Sequence, residues 1–165
     1  MIHTKNLSRR FGDRTAVERL SIDVQVGEIV GLLGPNGAGK TTTIRMVAGM
    51  IAPSSGSLRV GEIDPSGEPE RVHEIIGLLT ESPGFYERLS AEENLSYFAR
   101  FYQRLDVGEA VDRSLERMGL SARRRDRVGT FSKGMKQRLA LARTLLHGPR
   151  ILLLDEPTAG LDPEA

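Results

Sequence analysis

Gly34-Pro35-Asn36-Gly37-Ala38-Gly39-Lys40-Thr41 constrains this chain more than any other stretch. It fits the pattern Gly-x-x-x-x-Gly-Lys-Thr and stands between an apolar run and a helical repeat, the context in which that pattern forms a phosphate-cradling loop. The preceding run, Ile29-Val30-Gly31-Leu32-Leu33, is continuous, which predicts a strand covered on both faces, as in a parallel sheet. Ile44, Val47, Ala48 and Ile51 then recur at helical spacing. A strand, a glycine loop and a helix in that order begin an α/β domain. Such a loop needs glycine because backbone N–H groups must converge on phosphate oxygens, which leaves no room for Cβ atoms. The helix start adds partial positive charge. On this reading Gly34, Pro35, Asn36, Gly37, Ala38 and Gly39 wrap the phosphates of a nucleotide. Lys40 reaches the β- and γ-phosphates, the Thr41 hydroxyl ligates Mg²⁺, and Thr42 meets the α-phosphate.

A second apolar run, Ile151-Leu152-Leu153-Leu154, ends in Asp155-Glu156-Pro157 and predicts another fully buried strand. A carboxylate after four aliphatic residues is costly unless it emerges at a strand end, beside a cation or water. Strand ends of an α/β sheet face the ligand crevice. Taken alone, Asp155-Glu156 is equally a solvated turn before Pro157. With the glycine loop upstream, Asp155 is read as holding Mg²⁺ through water and Glu156 as the general base that polarises an attacking water.

Elsewhere in the chain the patterns differ. From Val17 to Val26 the apolar residues end in strict alternation, Ile22, Val24 and Val26, the period of a half-buried strand, and Gly27-Glu28 turns the chain. From about Ser90 to His147 every element reads as helix. Ser90 with Glu93, and Asp106 with Glu109, have capping-box spacing or its aspartate analogue. Leu95, Phe98, Ala99 and Tyr102 make one apolar stripe, and Val107, Val111, Leu115 and Met118 the next. A helical insert over about 84–148 is expected.

Composition narrows the class. At 165 residues with 39% hydrophobic content, the chain suits one domain. Its 23 Lys and Arg against 22 Asp and Glu give no global attraction to polyanions, so no nucleic-acid partner is expected. The run Arg123-Arg124-Arg125-Asp126-Arg127 is read as a solvated face. The absence of cysteine excludes a disulfide framework and thiolate metal sites. The first residues do not read as a secretory signal, and both apolar runs are far shorter than the roughly 20 residues of a spanning helix. A cytoplasmic setting is expected.

Phe131-Ser132-Lys133-Gly134-Met135-Lys136-Gln137-Arg138-Leu139-Ala140-Leu141-Ala142-Arg143 resembles the ABC signature Leu-Ser-Gly-Gly-Gln and its following helix, and it stands just upstream of Asp155, as in that family. Thr158-Ala159-Gly160-Leu161-Asp162 resembles the loop that follows the catalytic glutamate and touches a partner subunit. Phe11 sits where the family places an aromatic that stacks on adenine, although by itself it reads equally as an edge-strand core residue. The resemblance covers essentially the whole chain. It implies an α/β fold with a P-loop NTPase core, a parallel sheet, an N-terminal antiparallel part and a helical insert, forming one nucleotide-binding domain over 1–165. It implies ATP and Mg²⁺ as ligands, and a head-to-tail dimer in which Ser132 and Gly134 address the γ-phosphate held by the second nucleotide-binding subunit. It further implies ATP hydrolysis that powers a separate transmembrane permease, at the inner face of the cell membrane.

Three departures accompany the resemblance. Lys133 replaces the first signature glycine and Met135 the glutamine, while Glu81 stands where the family has the glutamine that senses Mg²⁺; a carboxylate there still ligates the ion. The first two variants, with Glu81, are similar to the drug- and ion-exporting branch. Family members also continue past the Asp162 loop to a strand ending in a γ-phosphate-contacting histidine, whereas His3, His73 and His147 all precede that region. The domain is therefore expected to be incomplete at its C-terminus, with a marginal fold and feeble hydrolysis. Two other readings stand beside this one. A chromosome or DNA-repair ATPase head would carry a heptad coiled coil between Lys40 and Ser132, where only short helical patterns occur. A nucleotide-binding fragment that does not hydrolyse is the other.

Overall fold

Gly12-Asp13 reverses the chain between β1 (Ile2–Phe11) and β2 (Arg14–Leu20), an antiparallel hairpin in the computed structural model, which describes residues 1–102 and 105–156. β1 is the common partner of this sheet, pairing antiparallel also with β3 (Asp23–Val24) and β4 (Ser55–Val60). Ile2, Leu7, Leu58 and Val60 are buried on it, as the two-residue period of a half-covered sheet requires. The single strand expected up to Val26 is thus two pieces. The chain breaks after Leu20, and Val26 is 81% exposed at the start of a turn where Glu28 N–H donates to the Gln25 carbonyl at 3.4 Å.

The strand expected at residues 29–33 is not formed. Ile29 is 99% and Leu33 95% exposed. A strand is held by its ladder partners, and no described strand pairs with these residues, so an apolar composition alone does not bury them. Beyond the glycine loop comes α1 (Lys40–Val47). It stops short of Ile51 because Gly49 takes a left-handed φ of 70°, letting Met50 N–H close on the Arg45 carbonyl at 2.9 Å. α2 (Pro69–Ile75), with proline in its first turn, follows β4.

The chain divides into two compact units, Met1–Ile76 and Gly77–Ala165. In the second, β5 (Ile76–Leu79) pairs in parallel with β6 (Ile151–Leu154). β6 was expected to be buried on both faces. Instead Ile151 and Leu153 are buried while Leu152 and Leu154 are 48% and 41% exposed, since the described pair of strands has only one face covered.

The expected helices are present as α3 (Ala91–Ala99), α4 (Val107–Arg117) and α5 (Lys133–Leu145). Each starts where its cap dictates. Ser90 Oγ accepts the Glu93 N–H at 3.1 Å while the Glu93 carboxylate accepts the Ser90 N–H at 2.7 Å. Asp106 accepts from Glu109 N–H, and Ser132 from Met135 N–H. Their apolar faces, including Leu95, Ala99, Val111, Leu115, Leu139 and Ala142, share one core. The basic run is not simply a solvated face. Arg124 donates to both Glu92 oxygens at 2.9 and 3.0 Å and to Asp112 at 2.7 Å, tying α3 to α4 through bidentate geometry.

Candidate functional site

The glycine loop reaches α1 through Gly39, the residue before the helix, whose φ of 89° is left-handed and which offers no side-chain cap. The backbone there is pressed against β2. A Cβ on Gly39 would lie 2.3 Å from the Ala16 carbonyl oxygen and 2.9 Å from Val17 Cγ2, separations that no side chain tolerates. Gly37, with φ of 82°, makes the preceding bend. Thr43 reinforces the junction, its N–H and hydroxyl both donating to the Gly39 carbonyl, at 2.8 and 3.0 Å.

Lys40 Nζ folds back over the loop, donating to the carbonyls of Gly34 at 2.7 Å and Pro35 at 3.0 Å. Its ammonium is thereby held over the loop at the start of α1, where helix N–H groups point outward. A cavity of about 340 Å³ opens there, lined by Phe11, Arg14, Ala16, Gly37, Gly39, Lys40, Thr41 and Thr42. Ala38, whose N–H donates to the Pro35 carbonyl, lines an adjoining recess, and Asn36 lies exposed in the loop. Phe11 is 47% exposed, so it is not an edge-strand core residue. The Arg9 guanidinium lies 4.5 Å from its ring centroid and also donates to the Ala52 carbonyl, which fixes the ring.

An anion fits this site by its own construction. The loop approaches β2 at a distance only glycine permits, the helix start lacks a side-chain cap, and among the described residues two cations and two hydroxyls line the cavity without a carboxylate. Arg14 and Ala16 were not foreseen. They enter because Arg14 is the cross-strand partner of Phe11, a relation that the short Phe11-Gly12-Asp13-Arg14 reversal could have signalled.

In the second unit Asp155 is buried just beyond β6, its N–H donating to the Leu79 carbonyl at 2.9 Å. Glu81, exposed two residues past β5, stands at the same end of the two-stranded sheet. Glu156 is exposed with a φ of 52°, a sparsely populated conformation for a residue with a Cβ. Thr41 belongs to the first unit. Hydroxyl and carboxylate oxygens are the hard donors that suit Mg²⁺. Among the described residues no three or more His, Asp or Glu are grouped so that they could hold a metal ion together.

Ser132 and Gly134 open α5. The Ser132 oxygen caps the helix by accepting a hydrogen bond, which leaves its O–H able to donate. Gly134 has open space where a Cβ would point. Met135 packs against the helical core, and Lys136 donates to Glu87 at 2.8 Å, holding that carboxyl below its usual range. The loop expected at Thr158-Ala159-Gly160-Leu161-Asp162 lies outside the described residues.

Comparison with known proteins agrees on one family. A family profile described as ABC transporter matches residues 17–159. The bacitracin transport ATP-binding protein BcrA of Bacillus licheniformis is 45% identical over 163 residues, which is 99% of this chain and 53% of that protein. The ABC transporter ATP-binding protein NatA of Bacillus subtilis is 44% identical over 169 residues, 98% of this chain and 69% of that protein. A solved ATP-binding subunit of an ABC transporter superposes with a TM-score of 0.87 at 32% identity, covering 99% of this chain and 69% of the other. The chain spans about half the length of the first curated relatives it matches, 53% in each of two cases.

Proposed function

We propose that this chain, which belongs to the ABC transporter family, binds ATP and supplies the hydrolysis that drives a separate membrane permease. The observation that carries the reading is the cavity in which Phe11, the glycine loop, Lys40, Thr41 and Thr42 meet. It offers an aromatic face for a base and, at the helix start, a cationic cradle for a phosphate chain.

In this reading Lys40 exchanges its loop carbonyls for β- and γ-phosphate oxygens, and Thr42 takes the α-phosphate. Thr41, Asp155 through water, and Glu81 are the residues that would hold Mg²⁺. When bound, that ion neutralises charge developing on the transferred phosphoryl group. Glu156 accepts the proton of the attacking water. Ser132 and Gly134 present the start of α5 to the γ-phosphate carried by a second copy, so that a head-to-tail pair completes each site. Lys133 adds a cation at that surface, and Met135, committed to the core, leaves phosphate contact to Ser132 and the backbone.

No helix among the described residues is long and apolar enough to cross a membrane. A peripheral position on the cytoplasmic face, beneath a permease, is part of the proposal, and likeness to BcrA, named for bacitracin transport, supports the drug-exporting branch. The test is Glu156→Gln in the full-length protein, which preserves shape and removes the proton acceptor. ATP binding should persist, phosphate release should fall by about 100-fold or more, and ATP-dependent dimers should accumulate on size exclusion. Undiminished phosphate release would place the base elsewhere, with Glu81 the first residue to examine.

A further inference from the structure

We infer that Arg14 is a second cation of the nucleotide site, gripping the phosphate chain from the β2 side of the cavity. The inference rests on the nucleotide-binding reading above and adds a residue that the glycine-loop pattern does not contain.

Arg14 opens β2 directly opposite Phe11 in the hairpin register, and directly paired residues hold their Cβ atoms about 4.5–5.5 Å apart. Its guanidinium extends to the phosphate loop, where one Nη lies 3.5 Å from the position a Cβ would take on Gly37. Arg14 therefore runs from the aromatic ring to the loop along the path a nucleotide would follow from base to phosphates. Among the described residues, Arg14 and Lys40 are the only charged ones lining this cavity.

Several other arginines have partners within the chain. Arg71, Arg113, Arg123 and Arg124 pair with carboxylates, and Arg9 and Arg143 donate to carbonyls. The Arg14 side chain makes no ion pair or hydrogen bond among the described residues. Two cations facing one small cavity repel each other, and an anion between them turns that cost into attraction. A guanidinium also brings a planar fork that matches two phosphate oxygens, which the point charge of Lys40 does not. The ligand class is a nucleoside di- or triphosphate, bound by Arg14 through phosphate oxygens and not through its base.

The experiment is equilibrium binding of ATP, ADP and adenosine to full-length parent, Arg14→Gln, Arg14→Lys and Lys40→Ala proteins, with thermal melts alongside. Arg14→Gln should melt like the parent, bind ATP and ADP about tenfold or more weakly, and bind adenosine unchanged. Arg14→Lys should recover only part of the loss. ATP affinity of Arg14→Gln within twofold of the parent, while Lys40→Ala loses binding, would overturn the assignment to Arg14 and leave the nucleotide site standing. A parent that binds neither ATP nor ADP would overturn both. Should Arg14→Gln lose its melting transition, Arg14→Lys decides alone: severalfold weaker ATP binding supports the assignment, and parental affinity refutes it.

Discussion

Replacing Gly39 by alanine tests whether the phosphate loop is built as described. The added Cβ would sit 2.3 Å from the Ala16 carbonyl oxygen and 2.9 Å from Val17 Cγ2, on a residue with φ of 89°. Two costs combine. Forcing a residue with a Cβ into the left-handed region costs about 1–2 kcal/mol. Relieving the contact requires moving the backbone of β2 itself, not the end of a flexible side chain, and overpacking of this kind costs about 1–3 kcal/mol. A destabilisation of roughly 2–5 kcal/mol follows, enough to lower a urea midpoint by about 1–2 M for a typical small-domain slope. Urea titration followed by circular dichroism reads it directly. ATP affinity should fall in parallel, because the loop can accommodate the methyl only by lifting from β2 and from the helix start. A midpoint within about 0.3 M of the parent at unchanged slope would mean that the loop does not rest on β2.

Gly134→Ala supplies the contrast, since a Cβ there meets nothing within 4 Å: stability should hold or rise by up to about 1 kcal/mol, while ATP-dependent hydrolysis by the dimer falls, and an undiminished rate would remove Gly134 from the site. Ser90→Ala deletes the hydroxyl that accepts Glu93 N–H and should cost about 1 kcal/mol in a denaturant titration; no change would mean that α3 does not depend on its cap. The Arg124 guanidinium, donating to both Glu92 oxygens, holds that carboxyl below its usual range. A carboxyl lowered in the folded state contributes stability above its unfolded pKa and loses it as pH falls through the folded one. Arg124→Gln should therefore move the acid-unfolding midpoint to higher pH, and an unmoved midpoint would contradict the link.

What was legible in the sequence was mostly local. Ser90 and Asp106 announced two helices because a cap and its partner lie three residues apart, and the stripes of α3 and α4 needed no distant information. The glycine loop was legible for the same reason, its bends being properties of Gly37 and Gly39 themselves. Burial of strands was not. Residues 29–33 and Leu152 with Leu154 have the composition of a covered strand, yet their exposure is decided by which other strands lie beside them, which an apolar run does not encode. Arg124 looked like one charge in a basic run because its partners, Glu92 and Asp112, are 32 and 12 residues away. Arg14 escaped notice because hairpin register, not motif spacing, brings it to Phe11 and the loop.

The account stands most directly on whether the start of α1 binds nucleotide through Lys40. Isothermal titration of ATP with Mg²⁺ into the full-length parent and its Lys40→Ala variant measures this. The ammonium held by the Gly34 and Pro35 carbonyls is the charge expected to transfer to the β- and γ-phosphates, and a lost charge-assisted contact of this kind weakens binding by about tenfold or more. Saturable binding by the parent, with that loss in a variant that still melts cooperatively, is the predicted result. Equal affinities in the two proteins, or no ATP binding by a folded parent, would contradict the account.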